Sequence, residues 1–362
     1  MIRWTEAGRE RSAIWRSALG APPPERVMVA DDRMRAAVAY RLACEGTALL
    51  WRGDFHQARQ VLDAMGRRCA PAAPGSGFHR HRQARSQRAH TLGMVLIPYA
   101  DGHVVALRRA PDVREACTEV YGRTAPPAVG RLGELLGVIG AHEWRVKGVP
   151  VPALGERIHP HHGVFSPIRG EYVDLVAEAP LPGDRLAFDI GTGTGVLAAV
   201  LARRGVRHVV ATDLDRRAVD CAGDNLARLG LAGRVEVVRA DLFPPGRAPL
   251  VVCNPPWLPA KPVTPLDHAV YDPGGRMLRG FIDGLAGHLE PAGEGWLILS
   301  DLAEHLGLRT RAELLAAFER AGLRVAARLD IAPRHQRPGD PADPLHAARA
   351  AEVTSLWRLR PG

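Results

Sequence analysis

The sequence predicts an α/β architecture, with seven strands in its second part and a smaller α+β domain before it. Three observations carry this reading. From residue 185 onward short apolar, β-prone runs alternate with longer amphipathic segments, the pattern of βαβ units around a parallel sheet. The first of those runs ends in a glycine-rich turn, and before residue 150 the pattern is helical with a single hairpin signal. The 362 residues, 46% hydrophobic and 24% charged, suit two globular domains, which divide as 1–150 and 151–362.

The first domain opens helical. After Asp31-Asp32 the residues Met34, Val38, Leu42 and Leu49 recur at roughly helical spacing, and a second helix is expected behind Asp54 with Phe55, Ala58, Val61, Leu62 and Met65. Residues 71–77, rich in Pro, Gly and Ala, run into 79–90, where Arg80, Arg82, Arg85 and Arg88 come without an apolar stripe. A mobile basic loop is expected there. Residues 94–99 and 103–107 flank Ala100-Asp101-Gly102 as the arms of a hairpin. Helices should follow from Asp112 and from Ala128. In the second domain strands are expected at 185–190, 208–213, 235–239, 250–254, 295–300, 323–330 and 352–359.

Charge is unevenly placed: residues 1–150 hold 23 Lys and Arg against 14 Asp and Glu, and the remainder 25 against 25. A basic first domain suits a polyanion or an acidic surface. No apolar run approaches the roughly 18 residues of a membrane span, and the first twenty residues lack the apolar centre of a signal peptide. A cytoplasmic protein with no membrane partner is expected. The five cysteines show no C-x-x-C spacing, and His159, His161 and His162 come without a nearby acidic or cysteine ligand pattern. The reading is therefore reduced thiols and no metal.

Phe188-Asp189-Ile190-Gly191-Thr192-Gly193-Thr194-Gly195 ends the first strand and opens a helix, where glycine lets the backbone turn sharply and a ligand approach closely. Dinucleotide enzymes place G-x-G-x-x-G here. In this chain the third glycine comes at Gly195 and Val196 holds the dinucleotide position; no Walker lysine follows. The Asp189 carboxylate suits an ammonium group and would repel a pyrophosphate. Asp213, at the end of the second strand, can accept from both hydroxyls of a ribose. Asp241, in Ala240-Asp241-Leu242-Phe243 after the third strand, can accept from an adenine amine. Asp215 reads as the cap of the next helix.

Leu250-Val251-Val252-Cys253-Asn254-Pro255-Pro256-Trp257 is a buried-looking strand ending in two prolines, so Asn254 is extended and the chain after it is stiff. The Asn254 side-chain oxygen and the Pro255 carbonyl can each take one N–H of a flat nitrogen and stabilise positive charge developing on it. Trp257 can stack on an amide or a base. Cys253 should face the other side of the strand and is not read as a nucleophile.

These features resemble the class I S-adenosylmethionine-dependent methyltransferases over about the last 200 residues. The motif Asn254 to Trp257 resembles the Asn-Pro-Pro-aromatic turn of amino (N-) methyltransferases: release-factor glutamine methyltransferases and the adenine and guanine N-methyltransferases of nucleic acids. The resemblance implies a seven-stranded Rossmann-like domain and S-adenosyl-L-methionine as cofactor. It implies cofactor contacts from Asp189, Gly191, Thr192, Gly193, Gly195, Asp213, Leu214, Asp241, Leu242 and Asn254, and an acceptor turn of Asn254, Pro255, Pro256 and Trp257. Two flanking stretches, His162 to Tyr172 with Phe165, and Tyr271-Asp272-Pro273-Gly274-Gly275-Arg276, have counterparts in the glutamine-methyltransferase group, where the first covers the cofactor and the second supports the substrate loop. Phe165-Ser166-Pro167-Ile168-Arg169 departs from that group's Pro-Arg-Pro-Glu-Thr. The expected function is N-methylation of a macromolecule, protein glutamine or a base of RNA or DNA, with Arg80, Arg82, Arg85 and Arg88 among the residues that hold it. The alternative is a small-molecule N-methyltransferase whose first domain is a lid or dimerisation element. A degenerate, purely nucleic-acid-binding version of the fold would not keep Asp189, Asp213 and Asn254 together.

Overall fold

The computed structural model describes residues 1–18, 20–70, 77–260, 271–334 and 343–362. The chain forms two compact units, Met1–Glu143 and Trp144–Gly362.

In the first unit β1 (Ile2–Glu6) and β2 (Arg9–Arg16) form an antiparallel hairpin whose turn holds Ala7 at φ 50° and Gly8 at φ 74°. Two positive-φ residues match the twist of the strands, but alanine in the first place conceals the turn from a search for Asn-Gly or Asp-Gly. Then come β3 (Arg26–Ala30), α1 (Ala36–Cys44), β4 (Thr47–Trp51), α2 (Phe55–Arg68), α3 (Phe78–Leu92), β5 (Val95–Tyr99), α4 (Arg114–Tyr121), β6 (Ala128–Arg131) and α5 (Leu132–Lys147), whose last four residues fall past Glu143. Strands β3, β4 and β5 are parallel, and the six-stranded sheet has the order β1-β2-β6-β5-β4-β3.

This unit is richer in strands than helices with one hairpin. Leu49 lies in β4 and outside α1, because Gly46 at φ 80° stops the helix and the run Ala48 to Trp51 is fully buried. Such a strand shows no alternation to read. The basic stretch 79–90 is helix α3, correcting the expectation of a loop. Its residues include no Gly or Pro and several good helix formers. It buries only Phe78 and Thr91, near its two ends, while Arg88 donates to the Gly66 carbonyl of α2, so an apolar stripe is not what holds it. After the turn at Asp101–His103 only an isolated antiparallel bridge, Tyr99 to Val105, forms, and β5 takes β6 as its antiparallel neighbour. Ala128 begins a strand, and the helix starts at Leu132. The Pro- and Gly-rich residues 71–76 lie outside the described residues.

The second unit begins with a small antiparallel pair, β7 (Val149–Val151) and β8 (Glu156–Ile158), and then α6 (Glu171–Glu178). Its main sheet comprises β9 (Leu186–Ile190), β10 (His208–Asp213), β11 (Val235–Arg239), β12 (Ala248–Cys253), β13 (Leu289–Ser300), β14 (Leu323–Ile331) and β15 (Thr354–Pro361), in the order β11-β10-β9-β12-β13-β15-β14. Helices α7 (Val196–Arg203), α8 (Arg216–Arg228), α9 (Arg276–His288), α10 (Leu302–His305), α11 (Arg311–Arg320) and α12 (His346–Ala350) occupy the connections. Alternation along the strands divides the core: Ala187, Leu250 and Val252 pack with α6 and α7 residues, and Phe188, Val251 and Cys253 with Phe281 and Phe318.

Strand order fixes where a ligand can sit. From β9 the chain works outward through β10 to β11 and restarts on the other side of β9 with β12, all parallel. The switch point therefore lies between the carboxyl ends of β9 and β12, where such sheets open a crevice. Val252 pairs with Asp189 and Cys253 with Ile190, so the turns beginning at Gly191 and Asn254 leave the sheet side by side.

Candidate active site

Asp189 is 1% exposed. Its Oδ2 accepts from Thr192 Oγ1 at 2.6 Å and from the Ala198 amide at 3.1 Å. Its Oδ1 is buried with no hydrogen-bond partner among the described residues. Burial pushes the carboxyl up to about 6, against the lowering effect of the two hydrogen bonds. A buried carboxylate oxygen left in this way can still accept from a donor that reaches it.

The turn after Asp189 is tightly held. The amides of Gly191 and Thr192 both donate to the Thr212 carbonyl, at 2.8 and 2.9 Å. Gly191 is at φ 71°, and a Cβ there would overlap the Met277 methyl, so glycine is required twice over. The Gly193 amide donates to Asp213 Oδ2 at 3.0 Å, and the Asp215 amide to Asp213 Oδ1 at 2.9 Å. Asp213 is thus oriented by backbone, and burial raises its carboxyl despite those bonds. Leu214 beside it is 52% exposed. Asp215 caps α8 through the Arg217 amide.

Asp241 is met by Arg276, Nη2 to Oδ2 at 2.6 Å, with both side chains largely exposed. Leu242 adopts φ 69°, unusual for a branched side chain, and its carbonyl accepts from Thr212 Oγ1 at 2.6 Å. Phe243 lies in contact with α9 at Gly284 and stacks on His288 with ring centroids 4.2 Å apart.

Asn254 is half-buried and its Oδ1 accepts from Trp257 Nε1 at 2.9 Å. Pro255 is buried, and the Trp257 ring is half-buried against both apolar layers. Leu258 makes a parallel bridge to Tyr271, and its carbonyl accepts from the Asp272 amide at 2.8 Å. Asp272, 5% exposed, then caps α9 by accepting from the Met277 and Leu278 amides at 2.9 and 3.1 Å. The stretch from Tyr271 to Arg276 therefore braces the chain after Asn254 and also reaches Asp241. Cys253 is fully buried; burial first, then the nearby carboxylates of Asp189, Asp272 and Asp213, push its thiol well above the ordinary range. A thiolate nucleophile is disfavoured there. The same three carboxylates give this end of the sheet a negative field.

Phe165 is half-buried with its ring centroid 6.4 Å from that of Tyr172. Burial, with a smaller contribution from Asp189, raises the Tyr172 hydroxyl. The stretch 165–172 thus reaches the neighbourhood of the Asp189 turn. His159 sets Nδ1 against the Arg145 carbonyl at 2.6 Å, and His161 sets Nε2 against Asp224 at 3.0 Å. Arg80, Arg85 and Arg88 are exposed and Arg82 half-buried on α3 of the first unit.

Sequence reasoning passed over Asn225 and Met277. Asn225, 1% exposed, binds both the amide and the carbonyl of His159 and also the Thr194 carbonyl. A polar residue on the otherwise apolar inner positions of α8 was the available signal.

Residues 156–318 match the methyltransferase small domain family. The chain is 32% identical over 179 residues to the release factor glutamine methyltransferase of Cereibacter sphaeroides, covering 46% of this chain and 61% of that protein. It is 29% identical over 229 residues to the ribosomal protein L11 methyltransferase of Sorangium cellulosum, covering 56% and 66%. It is 38% identical over 88 residues to the tRNA1(Val) (adenine(37)-N6)-methyltransferase of Bacteroides thetaiotaomicron, covering 23% and 37%. The chain spans less than two thirds of the length of each of these relatives. No helix among the described residues is long and apolar enough to cross a membrane.

Proposed function

We propose that this chain, which carries a methyltransferase small domain in residues 156–318, is an S-adenosylmethionine-dependent N-methyltransferase acting on a planar nitrogen of a cytoplasmic macromolecule. The observation that carries the proposal is the pairing of β9 with β12, which sets the Asn254 turn beside a buried Asp189 whose Oδ1 has no partner among the described residues. S-adenosylmethionine fits these residues: Asp189 Oδ1 and the surrounding carboxylates suit its ammonium and sulfonium charges, the turn from Gly191 to Gly195 lets it approach the backbone, and Asp213 suits its ribose. Leu214, Leu242 and Asp241 suit the adenine. When bound, it offers an activated methyl: the carbon–sulfur bond breaks with its electrons passing to sulfur, the acceptor's lone pair forms the carbon–nitrogen bond, and the surplus proton leaves to water.

The chain's own residues orient the acceptor. Asn254 Oδ1 and the Pro255 carbonyl each take an N–H, which aims the lone pair and stabilises the charge growing on nitrogen. The two prolines stiffen the backbone of the turn, so the Pro255 carbonyl moves little during the reaction. Phe165 closes over the cofactor side. The three relatives are named for a protein glutamine, a ribosomal protein and a tRNA adenine. Those names favour a macromolecule as substrate. Residues of α2 and α3 add Arg59, Arg67, Arg68, Arg80, Arg82, Arg85 and Arg88 against a single acid, Asp63, and six of those seven arginines are exposed. This layer in the first unit favours a nucleic acid, held through its phosphates.

The test supplies radiolabelled S-adenosylmethionine and the protein to an extract of cells lacking the gene, then treats the product with ribonuclease, deoxyribonuclease or protease. Label retained on macromolecules and released by a nuclease is expected. Release by protease moves the acceptor to a glutamine side chain, and label that is small and soluble before digestion overturns the macromolecular reading.

A further inference from the structure

We propose that Trp257 is a positioning residue that locks the Asn254 amide with its oxygen, rather than its NH2 group, available to the reacting nitrogen; the inference rests on the methyl-transfer function proposed above. The indole Nε1 donates to Asn254 Oδ1 at 2.9 Å. An indole N–H can only donate, whereas the two ends of an asparagine amide differ, Oδ1 accepting and Nδ2 donating. Rotating the Asn254 amide by half a turn would set its NH2 group against the Trp257 N–H, donor facing donor, and lose the bond. The observed bond uses one Oδ1 lone pair and leaves the other for an acceptor N–H.

Orientation decides the chemistry at this atom. An NH2 group aimed at the acceptor would donate into the lone pair needed for attack and repel the charge that develops as the carbon–nitrogen bond forms. The oxygen does the opposite on both counts. Trp257 is itself well anchored: its ring packs against both apolar layers, it follows two prolines, and Leu258 after it is bridged to Tyr271. A phenylalanine here would offer a similar flat ring with no donor, and a tyrosine would carry its hydroxyl at the far end of the ring. Tryptophan gives this turn a fixed acceptor geometry that a ring serving only to stack would not give.

Two substitutions separate the donor from the ring. In the methyl-transfer assay above, Trp257→Phe should lower kcat about tenfold, the scale of one hydrogen bond, while KM changes less than about threefold. S-adenosylhomocysteine affinity by calorimetry should stay within about threefold of wild type, because the missing bond lies on the acceptor side. Trp257→His keeps a ring N–H and should retain more kcat than Trp257→Phe; a purely packing role gives the reverse order, since phenyl suits an apolar surrounding better than imidazole. Independently of turnover, 15N NMR should show the Trp257 indole proton exchanging slowly with solvent, and faster in Asn254→Ala. Wild-type kcat in Trp257→Phe, histidine falling below phenylalanine, or indole exchange that ignores Asn254→Ala each overturns the assignment. A wild-type protein that transfers no label overturns the function on which the assignment rests.

Discussion

The side chain of Asn225 pairs with the backbone of His159 in both directions, accepting from its amide at 2.8 Å and donating to its carbonyl at 3.2 Å. The same Nδ2 reaches the Thr194 carbonyl at 3.1 Å, in the glycine turn. One buried amide thereby ties the segment around His159 to the glycine turn after β9. Asn225→Ala leaves an amide and two carbonyls without this partner and should cost about 2–3 kcal/mol. Asn225→Asp keeps the acceptor but sets a buried charge against two carbonyls, and should be at least as harmful. Urea unfolding measures both, and an unchanged midpoint in Asn225→Ala would show that the amide clamps nothing.

On the proposed function, Asp189 should make cofactor affinity depend on pH. Its folded carboxyl lies near 6 against an ordinary value of 3.8, so between roughly pH 4 and 6 the folded, cofactor-free protein holds a proton that the unfolded chain has released. Stability from this group is therefore greatest at low pH and falls as pH rises through that window. An ammonium ligand needs the ionised form, so binding should weaken about tenfold per unit as pH falls below 6 and level off above 7. Calorimetry with S-adenosylhomocysteine in buffers of different ionisation enthalpy should also register proton release near pH 6. Equal affinity at pH 5 and 7.5 would contradict this role for Asp189. Asp189→Asn should abolish binding without lowering the melting temperature of the cofactor-free protein at pH 7.5.

Neighbouring residues at the end of β12 should separate sharply in activity. Asn254→Ala removes a fixed acceptor and should lose about a hundredfold or more in kcat while still binding S-adenosylhomocysteine. Cys253, buried between strands with its thiol pushed far up, should tolerate Cys253→Ala within about twofold in kcat. An inactive Cys253→Ala that is folded and binds cofactor, beside an active Asn254→Ala, would assign the chemistry to the wrong residue.

The arginines of α3 should act on substrate capture. Replacing Arg80, Arg82 and Arg85 with glutamine keeps good helix formers and spares Arg88, which ties α3 to the Gly66 carbonyl, so α3 should persist by circular dichroism. KM should rise steeply with little change in kcat, and the dependence of log KM on log salt should flatten by about 0.7–0.9 for each phosphate no longer neutralised. Unchanged KM and salt dependence would remove α3 from substrate binding.

What could be read from sequence was the local backbone at strand ends. Asp189 with its glycines and Asn254 with its prolines are short, local patterns in which each residue type answers a local backbone or charge demand. Strands β10 and β11 were legible for a similar reason, since their apolar runs are bounded by charged or turn-forming neighbours. Less visible were features whose meaning lies far along the chain. Asn225 finds His159 66 residues away, and Arg276 finds Asp241 at a separation of 35. Helix α3 escaped because helices are usually read from an apolar stripe, and this one is fastened near its ends and by Arg88. Strand β4 escaped because a strand buried on both faces has no alternation.

Helix α9 constrains how the protein can be engineered. Exchanging helical glycines for alanine is a common route to greater stability, with a typical gain of about 0.5–1 kcal/mol where the new methyl has room. At Gly287 nothing lies within 4 Å of that methyl, and the exchange is open. At Gly284 the same methyl would come within 2.6 Å of the Phe243 ring, which is stacked on His288, so the ring or the helix would have to shift. One turn of helix therefore holds a position free to be hardened and another where hardening would press on the aromatic ring that follows Asp241 and Leu242 in the chain.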